Sequence, residues 1–152
     1  MKTASLPLDD NCVFCNIVRN DDGSRVFEDE QTIAFLDHRP LFPGHCLLIP
    51  KAHLETITDL PDSVLTPLFA NARTISAAVE LAMHAQGTFI AANNRVSQSV
   101  PHFHVHIVPR TKGDGLKGFF WPRRKYKDSE EMASVASALR VAIDQVRRDE
   151  RG

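Results

Sequence analysis

Apolar positions along the chain change period several times, and each change predicts an element. Residues 12–18 carry Val13, Phe14, Ile17 and Val18 at helical spacing, so a short helix or turn is expected there. Asn20-Asp21-Asp22-Gly23-Ser24 is a turn cluster. Residues 25–28 and 32–36 read as two short strands joined through Asp29-Glu30, and residues 37–44, with two prolines and a glycine, as a loop. Cys46-Leu47-Leu48-Ile49-Pro50 is a continuous apolar run, the pattern of a strand buried on both faces at the centre of a sheet. Over residues 62–86, Val64, Leu65, Leu68, Phe69, Ala72, Ile75, Val79, Ala82 and Met83 form one face of a long amphipathic helix. Pro67 must fall in its first turn or kink it, Thr66 could cap a start there, and Gly87 is the expected stop. Residues 88–92 are strand-like, and residues 93–99 form a loop. From Asp128-Ser129-Glu130-Glu131, a capping box, a last helix should present Met132, Val135, Ala136, Leu139, Ile143 and Val146 on one face. Strands, a long helix, two strands and a helix make an α+β protein, an antiparallel sheet with helices packed on one side.

One strand-like stretch has no folding explanation. In Gln98-Ser99-Val100-Pro101-His102-Phe103-His104-Val105-His106-Ile107-Val108-Pro109-Arg110, three of the seven histidines alternate with apolar residues. Period two places His102, His104 and His106 on one strand face and Phe103, Val105 and Ile107 on the other. Adjacent histidines would lie roughly 6.6 Å apart and the outer pair roughly 13 Å apart. Short zinc–nitrogen bonds could not gather the whole row on one ion without a sharp bend. Nucleophilic catalysis fits better: one imidazole attacks a phosphorus or acyl centre while its neighbours orient it and handle protons. The residues alone do not rank the three.

Composition narrows the setting. A chain of 152 residues is one domain, read as a flexible arm over residues 1–10 followed by a single domain over 11–152. Hydrophobic content of 43% and charged content of 24% are those of a soluble globular protein. A net charge of -1 gives no general attraction to nucleic acid or to membranes, and no apolar run approaches a membrane span. The first residues lack a signal peptide's apolar stretch, so a cytoplasmic protein is expected. Three cysteines make no disulfide framework. Cys46 reads as a small buried hydrophobe, whereas Cys12 and Cys15 form C-x-x-C, which in a reducing compartment points to metal or redox chemistry. Four ligands would be needed for tetrahedral zinc, and His53 and His102 are candidates distant in sequence. The bland alternative is two buried thiols and a helix-capping His53.

His-Phe-His-Val-His-Ile-Val, with Gln-Ser upstream and Pro-Arg downstream, resembles the H-x-H-x-H-x-x signature of the histidine triad superfamily of nucleotide-binding hydrolases and transferases. The similarity extends to Phe35-Leu36-Asp37, Pro43-Gly44-His45 and Ile49-Pro50-Lys51-Ala52-His53, and so over most of the chain from Cys12 to about Tyr126. It implies an α+β fold with the long helix and the C-terminal helix on the sheet, as a homodimer with sheets joined across the two-fold. It also implies one structural zinc on Cys12, Cys15, His53 and His102, as in bacterial members of the family. His104 would then be the nucleophile, attacking an α-phosphorus to form a nucleotidyl-imidazole, with its other ring nitrogen held by a backbone carbonyl. His106 would hydrogen-bond the phosphate or the leaving group, and Asp37 would accept the ribose diol. Asn93, Gln98 and Ser99 would contact phosphate oxygens or the bridging atom.

The implied substrate is a purine nucleotide-like small molecule: a nucleoside phosphoramidate, a nucleotide ester or a dinucleoside polyphosphate. Two other functions compete. One is a nucleotide- or partner-binding regulatory protein with little catalysis; the other is a metallohydrolase using all three triad histidines. The loop Asn94-Arg95-Val96-Ser97 departs from the fragile-histidine-triad branch, which carries glycine there. Residues 112–127 combine three glycines with Phe119, Phe120, Trp121, Tyr126 and several cations. Such a segment should be buried, in the core, at a dimer interface or at the substrate entrance.

Overall fold

The computed structural model describes residues 7–117 and 123–152. They fall into two compact units, Met1–Asp114 and Gly115–Gly152. Phe119, Phe120 and Trp121, the core of the aromatic segment, lie outside the described residues.

The first unit is built on a five-stranded antiparallel sheet in the order β1-β2-β3-β5-β4. Its strands are β1 (Arg25–Glu28), β2 (Thr32–Leu36), β3 (Cys46–Pro50), β4 (Gly87–Ala91) and β5 (Val105–Arg110). As the unbroken apolar run requires, β3 is the middle strand, and all five of its residues are buried. Alternation along β2 and β3 supplies two different cores. Ala34, Cys46 and Leu48 join Phe103, Val105 and Ile107 beneath Leu68, Ala72, Ile75 and Val79 of α2 (Asp62–Met83). Ile33, Phe35, Leu47 and Ile49 pack on the other face with Cys12, Phe14 and Cys15, at the start of α1 (Val13–Arg19). The two helices therefore cover opposite faces, not one side. The candidate chemistry gathers on the α1 face.

The start of α2 at Asp62 is the expected one, whereas its far end departs from expectation for local reasons. Pro61 precedes α2 in extended conformation, and its carbonyl accepts the Val64 and Leu65 N–H groups at 2.9 Å, so the helix starts ahead of Thr66. Pro67 sits in the second turn, and the helix runs through it. Its far end is closed by His84 in the left-handed region (φ 52°), with Gly87 already in β4. No helix among the described residues is long and apolar enough to cross a membrane.

In the second unit, α3 (Ser129–Arg151) is capped by Asp128, whose carboxylate accepts the Glu131 N–H at 2.8 Å. The return bond of the expected capping box goes elsewhere, because the Glu131 carboxylate takes the Lys127 N–H. The predicted apolar stripe runs along α3, opposite a charged face.

Candidate active site and metal centre

Cys12 is the N-cap of α1, its sulfur accepting the Cys15 N–H at 3.5 Å. One helical turn thus presents both thiols to the sheet. His53 follows β3, and His102 precedes β5. Cys12 Sγ lies 3.5 Å from His102 Nδ1; Cys15 Sγ lies 3.6 Å from the same nitrogen and 3.4 Å from His53 Nδ1. All four ligand atoms fall within 4.8 Å of one another. A tetrahedral centre with ordinary zinc–sulfur and zinc–nitrogen bonds separates S from N by roughly 3.6 Å, so this spacing suits the ion. Partners also set the tautomer of His102: its Nε2 donates to the Pro50 carbonyl at 2.8 Å, leaving the Nδ1 lone pair toward the thiols. Burial lowers the His102 pKa to about 4, so the ring is neutral, as a ligand must be.

Residues 7–10 of the expected flexible arm are tied to this cluster. The His53 N–H donates to the Pro7 carbonyl at 2.7 Å, the Asp9 N–H donates to Cys15 Sγ at 3.4 Å, and Arg19 pairs with Asp10 at 2.7 Å.

The histidine row is not wholly strand. β5 begins at Val105, so of the three only His106 is in the ladder, opposite Leu47, while His102 and His104 precede it. The His104 and His106 ring centroids lie 5.0 Å apart. His104 Nδ1 donates to the His102 carbonyl at 2.7 Å, which leaves the lone pair on Nε2. Burial keeps His104 below the usual histidine pKa. His102 therefore serves both centres, the thiol cluster through its ring and His104 through its carbonyl.

His106 belongs to a second relay. The Leu41 N–H donates to His45 Nδ1 at 3.1 Å, so the proton of neutral His45 sits on Nε2. That nitrogen donates to His106 Nδ1 at 2.9 Å, and the His106 proton is left on Nε2. Burial, helped by neighbouring histidines, lowers the His106 pKa to about 4. Asp37 approaches His45 Nε2 at 3.6 Å, and Asp37, His45 and His106 could by spacing hold an ion. The Leu41 N–H argues against that: an ion on His45 Nε2 would require the proton on the nitrogen that Leu41 already occupies. From sequence, Pro43-Gly44-His45 reads as scaffold with His45 a candidate to line the pocket, and the structure joins His45 to His106. Its signal was its place at the entrance to the central strand.

A cleft of about 850 Å³ opens beside these groups. His104, His106, Asp37 and Ser99 line it, together with apolar Val13, Phe14, Ile17, Phe35 and Leu47. Phe14, enclosed by the two cysteines in sequence, touches His104 edge-on at 5.1 Å and Phe35 at 5.4 Å. Sequence reasoning placed Phe14 only on a helix face. Asn93 and Gln98 brace the adjoining loop: Asn93 Nδ2 donates to the Ser97 carbonyl at 3.2 Å, and Gln98 Nε2 donates to the Glu55 carbonyl at 2.6 Å. Gln98 Oε1 also accepts the Arg95 N–H at 2.8 Å. This bracing accompanies positive φ at Arg95 and Ser97 (66° and 59°), a region that side chains other than glycine seldom adopt.

Comparison with known proteins places the chain in a family. Residues 18–113 match the model of the HIT domain. The chain is 35% identical over 136 residues to Protein hit of Bacillus subtilis, covering 86% of this chain and 92% of that protein. It is 33% identical to the adenylylsulfatase HINT3 of Arabidopsis thaliana, over 91% of this chain and 73% of the relative. It is 32% identical to the adenosine 5'-monophosphoramidase HNT1 of Saccharomyces cerevisiae, over 93% and 89%. Among solved structures, one from Streptococcus mutans superposes with a TM-score of 0.81 at 34% identity, covering 89% of this chain and 87% of that one. A zinc-bound histidine triad protein of Mycobacterium smegmatis superposes with a TM-score of 0.66 at 36% identity, over 90% and 97%. With the family's domain model spanning most of the sheet and relatives matching nearly the whole chain, this protein belongs to the histidine triad family.

Proposed function

We propose that the protein is a nucleotide hydrolase or nucleotidyl transferase acting at the α-phosphate of nucleoside phosphoramidates, nucleotide esters or dinucleoside polyphosphates. The observation that carries the reading is the bond from His104 Nδ1 to the His102 carbonyl, because it holds the ring as a neutral nucleophile beside a nucleotide-sized cleft. Relatives named adenylylsulfatase and adenosine 5'-monophosphoramidase support the substrate class.

In this reaction His104 Nε2 attacks the α-phosphorus, and the bond from phosphorus to the leaving oxygen or nitrogen breaks. The His106 Nε2–H, whose tautomer His45 sets, hydrogen-bonds the leaving atom, which takes its proton from solvent. Water then attacks the phosphorus, the phosphorus–Nε2 bond breaks to restore His104, and the water's proton passes to solvent as the nucleoside monophosphate is freed. Asp37 takes the ribose hydroxyls, and Ser99 donates to phosphate oxygen; Asn93 and Gln98 act beside it by shaping the loop that carries Ser99. The base occupies the apolar slot between α1 and Phe35.

Zinc on Cys12, Cys15, His53 and His102 completes the reading, by analogy with the zinc-bound mycobacterial relative. Bound there, it would supply a structural cross-link. The same reading includes a homodimer joined through the edge strand β4 and, given three free thiols, a cytoplasmic location.

The test is a substrate panel with mass detection of a nucleotidyl adduct, run on wild type and on His104→Ala. We expect an adduct on the wild type, and loss of turnover by several orders of magnitude in the variant with nucleoside-monophosphate binding retained. A variant that kept most of its activity would remove His104 from the role. Tight binding by wild type without turnover would favour a regulatory nucleotide-binding protein.

A further inference from the structure

At the end of the cleft that the chemistry leaves unused, the lining turns from apolar to polar. The face of α1 that borders the cleft presents Val13, Asn16, Ile17 and Asn20, spaced i, i+3, i+4 and i+7. Phe14 touches His104, and Asn20 lies about 9 Å further along the helix axis. The turn after α1 then carries the chain to Asp22, which lines the same cleft with His38 of the loop after β2.

Asp22 is held in one orientation. Its Oδ1 accepts the Ser24 N–H at 2.9 Å and the Ser24 hydroxyl, while Oδ2 lies 3.1 Å from His38 Nε2. As an exposed ion pair this contact would be worth little. Its position gives it meaning, because it joins the two loops that bound a slot with apolar walls. A nucleobase has that shape and polarity: two apolar faces and one polar edge.

We propose that Asn16, Asn20, Asp22 and His38 read the edge of a purine base, and that the Asp22 carboxylate selects bases bearing an exocyclic amine. A carboxylate only accepts hydrogen bonds, so the base edge facing it must donate. The 6-amino group of adenine and the 2-amino group of guanine donate. Hypoxanthine carries neither amine, keeping only its N1–H as a donor on that edge, and it has a carbonyl oxygen at the position of the adenine amine, as guanine does. The inference rests on the proposed nucleotide reading and adds base selection to it.

Titration calorimetry of the full-length protein with AMP, GMP and IMP tests it without requiring turnover. AMP and GMP should each bind about tenfold or more tightly than IMP. In Asp22→Asn the side-chain oxygen can still accept the Ser24 N–H, while an amide NH₂ replaces the accepting Oδ2. IMP should then gain on AMP, closing or reversing the gap. Equal affinities for all three nucleotides in the wild type overturn the proposal and leave the nucleotide reading standing. So does an AMP-to-IMP ratio unchanged in Asp22→Asn. Binding of none of the three removes the nucleotide reading itself, and base selection with it.

Discussion

His45 decides what His106 can do, and Gly44 decides where His45 sits. Gly44 has φ +94°, a conformation that only glycine adopts without strain. A Cβ added there would come within 2.6 Å of Met83 Cγ and 2.9 Å of its sulfur. The Met83 side chain is partly exposed and can yield, but the backbone strain cannot be relieved that way. Gly44→Ala should therefore cost about 1–3 kcal/mol, with the His45–His106 bond loosened and turnover lowered together. Urea denaturation alongside a kinetic assay checks this; unchanged stability would mean the loop has another conformation open to it.

At the scale of elements, α1 is the piece whose position serves two purposes. Its thiols belong to the candidate metal centre, and its next residues form a wall of the cleft. A seven-residue helix has little stability of its own, so tertiary fastening must hold it. Cys15→Ser should leave less than one zinc per chain by elemental analysis, lower the melting temperature, and weaken nucleoside-monophosphate binding as the wall loosens. Full metal content with unchanged melting would separate the cysteines from the metal. The reach of His102 to both centres adds that metal loss should slow the reaction of His104 as well.

At the scale of the molecule, three buried histidines and the half-buried His106 share one electrostatic signature. Burial lowers the pKa of His45, His102, His104 and His106, the second and fourth to about 4. In the unfolded chain each takes up a proton near the ordinary value of about 6.5, while the folded protein does not. Above that pH the two states bind protons equally and nothing is lost. As pH falls from about 6.5 toward 4 the unfolded state binds more at His102 and His106, and stability should drop by up to about 1.4 kcal/mol per pH unit for each of these two. Thermal melts from pH 8 to pH 4 should show this slope, with turnover lost in the same direction as His104 protonates. Stability flat between pH 7 and pH 5 would show that the rings are not held neutral.

Much of this protein is determined by local pattern. The unbroken run at residues 46–50 requires a central strand, and the apolar period at residues 62–86 a long helix. These follow because periodicity reports which side of an element is buried, whatever it is buried against. Convergence of distant residues is different, since spacing along a chain carries no information about meeting in space. That α1 covers the face opposite α2, that Leu41 fixes the proton of His45, and that Gln98 braces a loop all depend on packing. The stop of that helix at His84 was likewise settled by backbone hydrogen bonds, which outweighed the local preference of Gly87. Sequence determined the strands and the reactive residue types; the tertiary structure decided which nitrogen of each histidine keeps its proton.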